Sequence, residues 1–487
     1  MRRLEYKWLV AITFVFGLIM QILDLTILNV ALATLGKQFG VQAGTLQWVL
    51  TGYMISLAVF IPASGWISDR FGSKRTFQLA VLLFTAASVL CGVAPSITWL
   101  IIARVLQGVG GGLLVPVGQA MLFRAFPPHE RAKASAVLVI PTAFAPALGP
   151  VLGGFLVEYA TWRWIFFINV PIGALALLFT FVFLREETQA HPGRFDLSGF
   201  VLAGSGLALL LFGLDRGARE GWGELGVWGV LTLAVALLVT LVWRELTARE
   251  PMLDLRLLRQ RMFASGNAAL LCITGAMFGV LFLVPLYLQT LRGASALVAG
   301  LVMMPQAFGM MATTQVTSRL YPRVGPRRLL LVGFTVVGGV GLTLHFVGLA
   351  TPFWLIAVLL FVQGIGMGNS MIPLQAATFS RIGPASMGRA TSMFNASRQV
   401  ATATGVAVLS TILVARTQAA MADLGAAASA AARAQAQMDA YQAAFLGAVA
   451  FAAVGLVVAF LIRDSDAAPS MRRGGKGEEE PEPVTAG

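Results

Sequence analysis

Charge is what this 487-residue chain has least of. Charged residues make up 12% of it against 57% hydrophobic, and mean hydropathy is +0.80. A water-soluble globule is excluded, because polar side chains must cover a water-facing surface. Cysteine is nearly absent. Cys91 and Cys272 both lie in apolar runs, which excludes a disulfide framework and a Cys-ligated metal site. The three histidines, His129, His191 and His345, are far apart with no HExxH spacing, so no metal is expected and an intramembrane metalloenzyme is not supported. No cofactor is expected either. The net charge of +13 does not point to nucleic acid, since the bases sit singly between apolar segments rather than in one patch.

What the chain has instead is long apolar runs. Fourteen are long enough to cross a bilayer, which takes about 20 residues: 8–35, 45–67, 75–95, 97–122, 132–158, 163–184, 196–215, 225–244, 262–290, 295–318, 328–349, 352–378, 386–414 and 441–462. Arg2, Arg3 and Lys7 before the first run imitate a signal peptide, but the run is too long and holds Asp24, so it reads as a retained helix. With the N-terminus in the cytoplasm, alternate loops place 26 of the 35 Lys and Arg on the cytoplasmic side. Seven fall on the far side, and Arg104 and Arg398 lie within spans. That asymmetry follows the positive-inside rule and favours an even number of spans with both termini inside. The expected organisation is a six-helix bundle over 1–184, a two-helix insert with flanking loops over 185–261, a second six-helix bundle over 262–462, and a disordered tail over 463–487. Residues 415–440, rich in Ala with Gln, Arg and Asp, read as polar-sided helix outside the membrane.

The most informative residue is Asp24, the one carboxylate in the first span. A charge at the centre of such a helix costs roughly 2.5–3.5 kcal/mol on insertion scales, and marks an ion or substrate pathway by default. Asp24 shares a helical face with Met20, Gln21 and Leu28. In the fourth span Arg104 and Gln107 share a face with Gly108 and Gly111. Burial favours a neutral carboxyl and a nearby guanidinium favours the ionised one, so a changing Asp24–Arg104 distance would change proton affinity. Arg104 as a hydrogen-bonding hub and Asp24 as a packing acid are the plainer alternatives. After the second span, Gly65-Trp66-Ile67-Ser68-Asp69-Arg70-Phe71-Gly72-Ser73-Lys74-Arg75 frames an acid with glycines and bases. Such a junction can bridge a neighbouring helix end in one conformation and release it in another. A worn copy, Ser318 to Arg328, follows the tenth span, which suggests two related halves.

The Gly65–Arg75 stretch resembles the loop-2/3 signature of the major facilitator superfamily. Leu23 to Leu32, with Asp24, is similar to the first-helix signature of its fourteen-span drug:proton antiporters. Arg104-Val105-Leu106-Gln107-Gly108 resembles the superfamily's fourth-helix motif. Ala145 to Gly154 is similar to the fifth-helix antiporter motif, with Ala145 where glycine is usual. Trp162 to Gly173 resembles that group's sixth-helix start. The resemblance covers about residues 8–462 and implies an all-α fold of two six-helix bundles plus a central two-helix insert. It further implies a monomeric, proton-coupled exporter of amphipathic drugs in a bacterial inner membrane, with protons as coupling ion and no enzymatic activity.

On this reading Asp24 and Arg104 couple protons, and Gly65, Asp69, Arg70, Gly72 and Arg75 gate. Gly149, Pro150, Gly153 and Gly154 form a bent, close-packing surface on the fifth span. Gln21, Leu28, Gln107, Gln289, Gln363 and Arg398 are candidates for the substrate cavity. Arg398 either snorkels to the cytoplasmic face or meets an anionic group. The cargo is expected to be cationic or neutral; an exporter of lipids, fatty acids or an endogenous metabolite is the competing reading. The expected partners are the lipid bilayer and small amphipathic compounds. A periplasmic adaptor is compatible with the sequence but nothing in it requires one.

Overall fold

The computed structural model describes residues 5–41, 43–188, 193–248, 250–424 and 429–471. Their long elements are all helical, as apolar segments without water to bond their backbone must be. The first half contains α1 (Tyr6–Phe39), α2 (Ala43–Phe60), α3 (Ser64–Phe71), α4 (Ser73–Gly92), α5 (Ile97–Ala125), α6 (Arg131–Tyr159), α7 (Trp164–Phe167) and α8 (Asn169–Phe183). Helices α9 (Leu197–Glu220) and α10 (Leu225–Thr247) form an insert. The second half contains α11 (Arg261–Leu286), α12 (Ala296–Val324), α13 (Pro326–His345), α14 (Phe353–Thr378), α15 (Met387–Leu424), α16 (Ala430–Leu461) and the short α17 (Ala468–Met471).

Among the described residues twelve helices are long and apolar enough to cross a membrane, and the bent pair α2 and α3 makes thirteen. Helix α6, 29 residues long and packed on α1 and α12, lies where the fifth span was expected. Residues 61–63 and Ile168 interrupt the second and sixth spans.

The two halves repeat one packing scheme. In the first, the helix pairs α1–α6, α2–α5, α4–α5, α1–α8 and α4–α8 are in contact. In the second, α11–α15, α12–α14, α13–α14, α11–α16 and α13–α16 occupy the corresponding places. The loop echo of the sequence is part of that repeat. Gly72 (φ +93°) and Gly325 (φ +82°) turn the chain into α4 and α13 in a backbone conformation that suits glycine. Each turn holds a carboxylate at the helix start. Glu186 accepts from the backbone N–H of Lys74 (3.1 Å) and Arg75 (3.2 Å), and Asp464 from that of Arg327 (3.0 Å). An added Cβ at either glycine would strike that carboxylate.

The face that carries the start of α1 and the end of α16 is called here the basic face. Helix α9 of the insert touches α2 in one bundle and α15 in the other, with Leu207 and Leu211 packed on Ala58. Helices α15 (38 residues) and α16 (32 residues) would span about 57 and 48 Å, so they project beyond the far face as the helical 415–440 segment. Residues 425–428 at its tip lie outside the described residues.

The tail departs from expectation. Residues 464–471 fold into two short helical turns and dock on the basic face. Tyr321 and Ser470 share a buried hydrogen bond of 2.6 Å, and Arg381 donates to the carbonyls of Asp466 (2.7 Å) and Ser465 (3.0 Å). Hydrophilic composition suggested disorder, but these few polar groups find fixed partners on the bundle. Residues 472–487 lie outside the described residues.

Candidate functional site

Asp24 lies 18 residues along α1, about 27 Å from its basic-face end. Arg104 lies seven residues into α5 from the far face. Both are completely buried. Arg104 Nη1 donates to Asp24 Oδ2 at 2.5 Å and to Gln107 Oε1 at 2.7 Å, and its Nε donates to the Val49 carbonyl at 3.1 Å. Gln107 Nε2 and Asn169 Nδ2 donate to Asp24 Oδ1 at 2.9 and 3.0 Å. Asn169 also donates to Ser88 Oγ at 3.0 Å. The Arg104 guanidinium lies 4.2 Å from the centroid of the Tyr53 ring, a contact that stabilises a desolvated cation. An ion pair in so dry a place must be held by further hydrogen bonds to offset desolvation.

The glycines after Gln107 make room for this knot. An added Cβ would meet the Tyr53 carbonyl at Gly108 (2.6 Å), Phe84 at Gly110 (2.7 Å) and the Tyr53 hydroxyl at Gly111 (3.0 Å). Asn169 is the first residue of α8 and went unmarked as a site residue. The signal was there, a lone amide in an apolar stretch, but only the approach of the sixth span to the first gives it a partner. Gln107, expected in the substrate cavity, serves the carboxylate instead.

A second polar cluster ties the bundles together near the basic face. Arg124 at the end of α5 donates to Asp69 Oδ1 (2.8 Å), Ser73 Oγ (2.7 Å) and, across the seam, the Pro384 carbonyl (3.1 Å). Asp69 thereby faces Gly388 in the first turn of α15, where the helix dipole favours a carboxylate. At Gly65 an added Cβ would lie 2.8 Å from the Gly388 carbonyl, so α3 and α15 touch backbone to backbone. Ser64 and Ser392 share a hydrogen bond of 2.7 Å, and Asn395 donates to Gln119 at 2.6 Å. Arg131, at the start of α6, donates to the carbonyls of Phe379 and Ile382 beyond the end of α14. Arg70 and Arg75 are exposed; Arg75 lies 3.6 Å from Glu186, and Arg70 has no ion pair among the described residues. Arg124, Arg131, Gln119 and Asn395 were not legible as gate residues, because each acts across the seam.

On α6 the glycines divide. Gly149 packs on α1, where an added Cβ would lie 2.1 Å from Thr26 Oγ1, and Gly153 is buried. Gly154 has nothing within 4 Å of an added Cβ, so it is no packing contact. The side chain of Pro150 lies outside the described ones.

The candidate cavity residues do not converge. Gln21 is buried one turn before Asp24, and Leu28 belongs to an apolar core cluster. Gln289 is exposed in a π-helical turn at the far end of α11. Gln363 is completely buried with neither amide atom partnered. Arg398 is half-buried on α15.

A sequence model described as Major Facilitator Superfamily matches residues 14–406. The chain belongs to that superfamily. Its superfamily relatives include an uncharacterized MFS-type transporter, YhcA, of Bacillus subtilis, 34% identical over 403 residues (82% of this chain, 75% of that one). A multidrug resistance protein B homolog of Mycobacterium tuberculosis is 35% identical over 404 residues, with the same coverage. In fold the chain is similar to the human organic anion transporter MFSD10 (TETRAN), with a TM-score of 0.63 at 17% identity, covering 93% of this chain and 99% of that one. The protein is therefore a multi-span membrane transporter with the superfamily's fold, not an enzyme.

Proposed function

We propose that this transporter is a proton-driven exporter of amphipathic compounds, with Asp24 as the proton carrier. The observation that carries the reading is the knot of Asp24, Arg104, Gln107 and Asn169, sealed from solvent in the first bundle. The relatives named for multidrug resistance support the export of drug-like cargo. The positive-inside pattern supports a bacterial inner membrane with the basic face and both termini in the cytoplasm.

In the conformation described, the described hydrogen bonds between the two bundles lie toward the cytoplasmic ends. This corresponds to a carrier closed inward. Its cycle requires the Ser64–Ser392 and Arg131–Phe379 contacts to part, so that cargo can enter from the cytoplasm. A shift of α5 against α1 within the first bundle, transmitted through Arg124 at the end of α5 as the gate opens, lengthens the Asp24–Arg104 contact, and a carboxylate that loses its cation takes up a proton more readily. Proton binding and the switch of access are thereby linked.

The test is efflux of several amphipathic compounds from proteoliposomes under an imposed pH gradient, wild type against Asp24→Asn. Gradient-driven efflux that the substitution abolishes is the expected result. Wild-type efflux matched by the variant would place the proton site elsewhere. Indifference of the wild type to the gradient with every compound would overturn proton coupling.

A further inference from the structure

Two arginines lie deep within spans, and their situations are opposite. Arg104 is neutralised by Asp24 at 2.5 Å. The guanidinium of Arg398 meets no hydrogen-bond acceptor or carboxylate among the described residues; only its backbone carbonyl is engaged, accepting from Thr402. Arg398 lies 11 residues from the start of α15, about 16 Å along the helix. That is too deep for easy snorkelling to a surface.

Its neighbours on α15 fix the direction it faces. Residues three or four apart share a helical face. Asn395, one turn toward the cytoplasm, reaches across the seam to Gln119 of the first bundle. On the adjoining strip, Gly405 abuts α11, where an added Cβ would lie 2.3 Å from the Gly275 carbonyl. Ala396, Val400 and Ala403, on the other side, pack toward the insert. Arg398 therefore lies in the angle between the first bundle and α11, one turn outward of the closed gate, and away from lipid.

An unpaired cation inside a membrane protein faces a water-filled path or an anionic partner. Among the described residues no carboxylate serves the purpose. Asp24 is buried, with both oxygens engaged by Arg104, Gln107 and Asn169, so in this conformation it cannot receive a cationic cargo. The free charge beside the seam is positive.

We propose that Arg398 is the cargo-recognition residue and that the preferred cargo is an amphipath with an acidic group, a carboxylate or sulfonate on an apolar body. The guanidinium binds the acid through paired N–H donors, and helices rich in Ala, Val and Met around the seam accommodate the rest. This rests on the exporter reading for the direction of transport, and it reverses the expectation of a cationic or neutral compound.

The experiment is equilibrium binding of three radiolabelled probes to the detergent-purified full chain. The probes are 6-phenylhexanoate, its methyl ester and the corresponding phenylhexyl trimethylammonium cation. Wild type is expected to bind the carboxylate about 10- to 100-fold more tightly than the ester or the cation. Arg398→Gln should bring carboxylate and ester level while leaving the ester's affinity unchanged, which also shows that the variant is folded. Arg398→Lys should keep part of the preference. A wild type that prefers the cation or the ester, or binds none of the three, overturns the proposal. So does an Arg398→Gln protein that still prefers the carboxylate. Binding that follows Arg398 without any gradient-driven efflux would sink the exporter reading and leave the site standing.

Discussion

Asp24 and Arg104 show how a membrane protein keeps a charge pair where water cannot reach it. Each is completely buried, and each depends on the other for neutrality. Breaking such a pair from one side costs about 3–5 kcal/mol, whereas replacing both members can be nearly neutral. Arg104→Gln should therefore strongly destabilise the protein, and adding Asp24→Asn should restore most of the loss. Thermal unfolding of the purified variants checks this. A double variant no more stable than Arg104→Gln alone would mean that Arg104 acts through Val49 and Tyr53 rather than through the carboxylate. A second acid behaves differently because it lies outside the spans. Burial pushes Glu130 toward the neutral form, but hydrogen bonds from Lys7 and Lys133 outweigh it and hold its carboxyl below the ordinary value of 4.5. A lowered carboxyl stabilises the fold above its unfolded value and loses that contribution as pH falls through its folded value. The clasp between α1 and the 128–130 turn should then be constant at neutral pH and weaken only below about pH 4.5. Glu130→Gln should accordingly leave the pH profile of transport between 6 and 8 unchanged, and a profile that shifts would implicate the clasp in coupling.

Between helices, closeness is set by what has no side chain. Gly65 and Gly388 let α3 and α15 meet across the seam, and Gly65→Ala would press a methyl group to 2.8 Å from a carbonyl oxygen. The docked tail closes the same seam from below. The short helix α17 touches residues 128–130 of the first bundle. Met471 packs on a cluster that combines Ala132, Ala136 and Val139 of α6 with Met310 of α12 and Ile372 of α14. Both Gly65→Ala and a chain ending after Arg463 should favour the inward-open form. A cysteine placed at Ala136, only 7% exposed, reports on this through its reaction with a membrane-impermeant maleimide from the cytoplasmic side. Severalfold faster labelling is expected in either variant, and unchanged rates would mean that neither contact holds the gate. How much of this the sequence revealed follows from what is local. Apolar length gave most of the spans, because it is a property of one segment. The break at Ile168 was hidden, since apolar composition runs on through it, whereas Pro62 is the local signal of the one at 61–63. Asn169, Arg124, Arg131 and Gln119 were missed for a different reason: each takes its role from a partner more than 50 residues away, or from a seam whose register no single segment encodes. Asp24 was legible because its cost is paid within its own helix.

The two bundles share one packing scheme but not one chemistry. Gln363 and Gly364 of α14 repeat the Gln107–Gly108 pair of α5, yet Leu360 stands where α5 has Arg104. The second half thus keeps the close helix contact, with Gly364 against the Gln306 carbonyl, and lacks the charge. On the proposed reading one bundle handles protons, and the other contributes Arg398 and half of the gate. Such a division requires a mechanical link through α5, which carries Arg104 near one end and Arg124 at the other, because the proton site and the gate share no hydrogen bond among the described residues. The Ser64–Ser392 contact offers a direct test. Its hydroxyl oxygens are 2.7 Å apart, close enough for the corresponding cysteines to reach the sulfur–sulfur distance of about 2.05 Å with little backbone movement. In the Ser64→Cys, Ser392→Cys double variant, oxidation should arrest efflux under a pH gradient and reduction should restore it. The native Cys91 and Cys272 are both buried and should not interfere. The oxidised protein should still bind cargo offered from the far side, since only the cytoplasmic opening is blocked. Efflux that continues at full rate through the crosslinked carrier would mean that the bundles need not part here, and the coupling of Asp24 to access could not run through this gate.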